Sequence, residues 1–180
     1  MTAPRVLGLD LSMTATGVCL PDGSTRTIKT NAKDGDRRLQ HIVDQVGIAL
    51  DDGAHGRDAC DLVVMEEAPP GLKGPAIKAI HMVHGAIRLR LVDFKTPYAV
   101  VNPTVLKAYA TGSTSADKTA MAMAAFKRTG REFADDNQCD AAWLRWAGLD
   151  WLGHPEFSLP AAQRDRLTKA NWPVPKGNPA

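Results

Sequence analysis

Three acidic positions fall where a fold could hold them rigidly. Asp10 closes the apolar run Val6-Leu7-Gly8-Leu9, and Glu66 closes a second run, Leu62-Val63-Val64-Met65. Asp136 and Asp140 lie in the acidic group that opens a helix ending near Gly148. Hard divalent cations prefer carboxylate oxygens, so convergence of these groups would suit Mg²⁺ or Mn²⁺. Any one of them could equally be an ordinary solvated carboxylate. The basic residues sharpen the reading. Between Pro69 and Arg131 ten lysines and arginines, among them Lys73, Lys78, Lys107 and Lys118, stand against two acidic residues, although the whole chain carries only +2. Carboxylates to hold metal beside cations to hold phosphates are what a metal-dependent enzyme acting on a polyanion needs.

Other chemistries are poorly served. His81 and His84 share a helix face at i, i+3 but have no cysteine or carboxylate partner at ligand spacing, so zinc is not indicated. Gly71-Leu72-Lys73-Gly74-Pro75 lacks the Gly-Lys-Ser/Thr ending of a nucleotide-phosphate loop, and no nucleotide cofactor is expected. Cys19, Cys60 and Cys139 are odd in number and widely spaced, which argues against a disulfide framework and for a reducing cytoplasm. No run is long and apolar enough to span a membrane, and the N-terminus lacks the apolar core of a signal peptide. With 180 residues, 44% of them hydrophobic, one compact domain is expected.

The elements that must position the acidic groups can be read from periodicity. Strands are expected over 5–11, 17–20 and 24–30, the last two joined by the Pro21-Asp22-Gly23 turn. Leu39, Ile42, Val43, Val46 and Leu50 recur at helical spacing over about 36–50. The buried strand 62–65 precedes a Pro/Gly loop, after which Ile77, Ile80, Val83, His84, Ile87 and Leu91 form one face of a long helix. A strand over 98–101 follows, then a helix from Asn102-Pro103 to Gly112, a helix capped by Ser115 and ending near Gly130, and the acidic helix over 136–147. Composition shifts after Gly153. The expectation is a domain over 1–153 and a C-terminal segment over 154–180, made of one weak helix and a flexible Pro-rich tail and dispensable for the fold. The sum is an α/β protein with a mixed five-stranded sheet flanked by helices.

That arrangement resembles the ribonuclease H-like fold, and within it the motifs resemble the RuvC group of Holliday-junction resolvases. Gly8-Leu9-Asp10-Leu11-Ser12 with Thr16-Gly17 matches the family's first strand and turn, and Met65-Glu66-Glu67 its second carboxylate. Lys107-(x)4-Gly112-Ser113-(x)4-Lys118 matches its lysine–loop–lysine pattern, and Asp140-Ala141-Ala142 the second half of its Asp-x-x-Asp-Ala helix. The likeness covers residues 5 to 148, about four-fifths of the chain. Two departures stand out. The first aspartate of the last motif falls on Asn137, with Asp136 one place earlier, and the aromatic that in the family wedges into the junction's bases is replaced by Ala68-Pro69-Pro70.

The resemblance implies a metal-dependent endonuclease that resolves four-way DNA junctions by hydrolysing phosphodiester bonds in symmetric strands. It further implies two Mg²⁺ ions per site, with Mn²⁺ able to substitute. Asp10 would bridge the ions, Glu66 and Asp140 would each favour one, and Asp136 would complete the shell. Lys118 would act at the scissile phosphate and Lys107 would grip a neighbouring one, with Lys73 and Lys78 as further DNA contacts. A homodimer would match the near two-fold symmetry of the junction, and the helix over 75–91 is the candidate interface. Two alternatives stand beside this: a broader structure-selective nuclease acting on forks, flaps or RNA–DNA hybrids, and a non-catalytic DNA-binding module.

Overall fold

The computed structural model describes residues 3–51, 60–68 and 74–173. Strands β1 (Val6–Asp10), β2 (Ala15–Cys19), β3 (Thr25–Lys29), β4 (Leu62–Glu66) and β5 (Tyr98–Val101) form one sheet in the order β3-β2-β1-β4-β5. β1 is central, antiparallel to β2 and parallel to β4. Among the described residues six α-helices surround the sheet: α1 (Arg37–Leu50), α2 (Pro75–Asp93), α3 (Pro103–Thr111), α4 (Lys118–Thr129), α5 (Asp136–Trp151) and the short α6 (Ala161–Arg164). No helix among the described residues is long and apolar enough to cross a membrane.

Successive strand side chains point to opposite faces, and here both faces are buried. Leu7, Leu9, Val63 and Met65 pack with Val46 and Leu50 of α1 and Val83, Ile87 and Leu91 of α2. Val6, Leu62 and Val64 pack on the other side with Trp143 and Ala147 of α5 and with residues of α3 and α4. Parity then fixes the acidic residues. Val6, Gly8 and Asp10 share a face, as do Leu62, Val64 and Glu66, so both carboxylates belong to the α5 side of the sheet. The parallel register pairs Leu9 with Met65, which sets Asp10 and Glu66 next to each other at adjacent strand ends.

Three local expectations need correction. Asp117, not Ser115, caps α4, its carboxylate accepting from the Ala120 amide at 2.8 Å, while Ser115 belongs to the preceding turn. Gly148 does not end α5, which continues to Trp151. A Cβ at Gly148 would lie 2.7 Å from methyl groups of Val6 and of Val64, so the glycine lets the helix seat on the sheet.

The third correction concerns the chain after Gly153. Leu159 and Leu167 enter the core, and Glu156 accepts from the Trp146 indole at 2.8 Å and pairs with Arg145 at 2.7 Å. Arg164 forks onto buried Asp150, and Trp172 stacks on Trp151 with ring centres 4.8 Å apart. Residues 154–173 therefore pack into one core with the sheet. The Pro-rich stretch from 174 onward lies outside the described residues.

Candidate active site

The third carboxylate arrives on α5, whose first turn is fastened to β3. Asp135 caps the helix, accepting from the Gln138 amide at 3.0 Å and from the Thr27 hydroxyl at 2.6 Å. Gln138 in turn accepts from the Thr25 hydroxyl at 2.9 Å. Past this anchor the helix backbone lies directly on the sheet: a Cβ on Gly8 would meet the Ala141 carbonyl oxygen at 2.0 Å. Asp140, immediately before Ala141, is thereby brought over the strand that carries Asp10.

The electrostatics report the convergence. Burial pushes Asp10 up to about 7, with Asp140 and Asp135 adding to the rise and Lys118 opposing it. Glu66 is pushed up to about 8, first by burial, then by Asp10 and Asp140, against Lys107. Asp140 rises to about 6 through burial, opposed by Lys118, with Asp136 raising it further and Lys107 lowering it. Three half-buried carboxylates thus sense one another, and the cations that offset them are Lys107 and Lys118. Strong perturbation by burial together with specific charged neighbours is typical of functional carboxylates. Among the described residues, no three His, Cys, Asp or Glu side chains are already drawn into a coordination cluster.

The remaining candidates divide. Lys118 is the first residue of α4, largely exposed, and its ammonium donates to Asp136 at 2.8 Å. Asp136 is half-exposed and engaged by that lysine, while the Asn137 side chain is hydrogen-bonded to Asp135. Lys107 is half-buried on α3. That helix starts at Asn102, which caps the Thr104 amide and also donates to Glu67 at 3.0 Å, so Glu67 is turned toward α3. Lys78 is exposed in the first turns of α2, and Lys73 lies outside the described residues. Thr25, Thr27 and Gln138 escaped the sequence reading, which named Asn102 as a helix start but not as a partner of Glu67.

No protein-family model matches the chain, and no curated protein does. Solved structures do. Thermus thermophilus RuvC aligns over 93% of this chain and 99% of its own with a TM-score of 0.69 at 17% identity. The same organism's RuvC in complex with a Holliday junction substrate gives 0.70, also at 17%, over 94% and 99%. The yeast mitochondrial Holliday junction resolvase gives 0.50 at 12%, over 92% and 81%. The chain has the RuvC fold. Asp10 and Glu66 end two adjacent strands of the sheet, Asp140 on α5 acts on both of them electrostatically, and Lys107 and Lys118 lie on α3 and α4.

Proposed function

We propose that the chain is a metal-dependent endonuclease that resolves four-way DNA junctions by cutting phosphodiester bonds in symmetric strands. The observation that carries this is the convergence of Asp10, Glu66 and Asp140, from two strand ends and one helix, beside Lys107 and Lys118 in a RuvC fold. The junction-bound neighbour supports branched DNA as the substrate.

The donor set fits hard divalent cations, because the converging groups are all oxygen ligands and their mutual repulsion would be relieved by positive charge among them. Asp10, Glu66 and Asp140, with Asp136 beside them, would hold two Mg²⁺ or Mn²⁺ ions. When bound, such a pair of ions supplies a nucleophilic water and stabilises the leaving 3′ oxygen. The chain's own residues do the positioning. The Lys118 ammonium, kept protonated by Asp136, would move to the scissile phosphate, and Lys107 would hold the adjoining one. Lys78, exposed on α2, and Lys73 would be further DNA contacts.

A junction cut symmetrically calls for two copies of the site, and a homodimer provides them. On α2 the face bearing Val83, Ile87 and Leu91 is consumed by the sheet, which leaves exposed Met82, Leu89 and Val92 for a second copy. Cys19, Cys60 and Cys139 are all buried, which suits a reducing cytoplasm.

The deciding experiment incubates labelled four-way junction, fork, flap, RNA–DNA hybrid and duplex with the protein in Mg²⁺ or Mn²⁺ and maps the cuts. Paired incisions at symmetric positions of the junction are expected. Stronger cutting of forks, flaps or RNA–DNA hybrids would favour the broader nuclease, and binding without incision in either metal would leave a DNA-binding module.

A further inference from the structure

A groove of about 500 Å³ leads from the carboxylate edge along the outer face of α4. Lys118 and Asp136 form its near end, Met123, Phe126 and Phe133 its floor, and Arg131 its far side. The floor is unusual for a solvent-facing helix. Met123 and Phe126 are 48% and 46% exposed and sit at i, i+3 on one face. The Arg131 guanidinium lies over the Phe133 ring, 5.3 Å from its centre.

Charge and length say what fits. Cations stand at both ends of the groove with flat apolar surface between them. At about 1.5 Å per residue, the eight steps from Lys118 to Phe126 cover about 12 Å, the span of three to four stacked nucleotides at about 3.4 Å each. A nucleic-acid strand has this alternation built in, with phosphates for the cations and base faces for the aromatic and thioether floor. The Glu132 carboxylate lines the same groove and can accept from a base N–H edge. Bases in a duplex are stacked away from such a surface, so only an unpaired one can reach it. The loop after Glu66, with Ala68-Pro69-Pro70, offers no aromatic for that purpose.

We infer that this groove takes an unpaired nucleobase of the DNA strand beside the bond to be cut, stacked on Phe126 and Met123. The inference rests on the nuclease reading above, and its test is chosen to fail separately from it.

The test measures binding of labelled oligothymidylate and of an abasic oligonucleotide of equal length to the full chain, with Ca²⁺ present to suppress incision. The wild type should prefer oligothymidylate about fivefold or more, in line with base–aromatic stacking. The preference should vanish in Phe126→Ala, shrink in Met123→Ala and survive in Phe126→Trp. Both side chains are half-exposed, so folding is not at stake. Equal affinity for the two oligonucleotides, or a preference that persists in Phe126→Ala, would overturn the inference. So would sedimentation showing that Phe126→Ala separates two copies, since the groove would then be a protein contact. If the preference holds but branched DNA is never incised, the nuclease reading falls and the base site stands.

Discussion

Gly17 and Asn137 touch through their backbones: a Cβ on Gly17 would stand 2.0 Å from the Asn137 carbonyl oxygen. Gly17 pairs with Asp10 across β1 and β2, so one of the close approaches of α5 to the sheet occurs next to the first carboxylate. With Gly8 beneath Ala141, two glycines and no intervening side chains set the height of Asp140 above Asp10.

Alanine at either glycine should therefore act on stability and incision together. Overpacking commonly costs about 1–3 kcal/mol, and here the obstacle is helix backbone, which cannot rotate aside. Gly17→Ala and Gly8→Ala are each expected to lose at least about 2 kcal/mol in urea denaturation. Incision should also fall among the molecules that remain folded. A wild-type denaturation midpoint in both variants would show that α5 has slack.

Asp10→Asn, Glu66→Gln and Asp140→Asn should each abolish incision while junction affinity stays near wild type. Removing a proposed ligand oxygen would leave the phosphate grip proposed for Lys107 and Lys118 in place. Filter binding in Ca²⁺ and cleavage in Mg²⁺, run on the same preparations, separate the two effects. Full activity in any of the three would remove that residue from the site.

The sequence made the carboxylate edge legible because it depends on two local rules, the period of a strand and a polar residue at its end. Parity alone places Asp10 and Glu66 on one face once β1 and β4 are neighbours. What stayed hidden depends on contacts between residues far apart in the chain. Gly148 looks like a helix stop until Val6 and Val64 are seen against it. Ser115 and Asp117 both precede α4, and only the turn geometry decides which side chain reaches the Ala120 amide. Glu156 and Arg164 look like solvated charges, yet both have partners on the inner side of α5.

Those partners give a prediction for truncation. Ending the chain at Gly153 removes Leu159 and Leu167 from the core and strips Arg164 from Asp150, which is 2% exposed. A buried charge left without its partner typically costs about 3–5 kcal/mol. The truncated protein should be insoluble or unfold at far lower urea, and Arg164→Met alone should reproduce much of the loss. A truncated chain with wild-type stability would show that α5 can bury its charges without help.

The raised carboxylates also set the pH response of the metal-free protein. Asp10 and Glu66 ionise near 7 and 8 when folded but near 4 when unfolded, so between these values the folded state holds more protons. Their contribution is full below about pH 4 and is lost as pH rises through about 7 to 8. Buried His84, pushed down to about 4, acts in the opposite sense over about pH 4 to 6.5, so the measurement must be a difference between variants. In EDTA, Asp10→Asn should melt higher than wild type at pH 8, with the gap closing by pH 5. Mg²⁺ should raise the wild-type Tm more at pH 8 than at pH 5. A gap that does not change with pH would mean Asp10 is not held protonated by its surroundings.

Asp136 and Asn137 compete for the fourth place in the shell, and neither is turned freely toward the other carboxylates. Lys118 holds Asp136, and Asn137 is tied to Asp135. Charge favours Asp136, because an amide oxygen does little to offset two divalent ions close together. Lys118 must also leave Asp136 to reach a phosphate, which frees that carboxylate at the moment substrate binds. Asp136→Asn is therefore expected to slow incision at least about tenfold, on the order of 1.4 kcal/mol in barrier, and to raise the Mg²⁺ concentration needed for half the maximal rate. Asn137→Ala should cost less. The same Asp136→Asn change made in a Lys118→Ala background distinguishes the possible roles. A further loss there, with the same shift in Mg²⁺ requirement, is the signature of a ligand, whereas no further loss would mean that Asp136 acts only through Lys118. An inactive Asn137→Ala beside an active Asp136→Asn would transfer the ligand role to Asn137, with α5 rotated in the working complex.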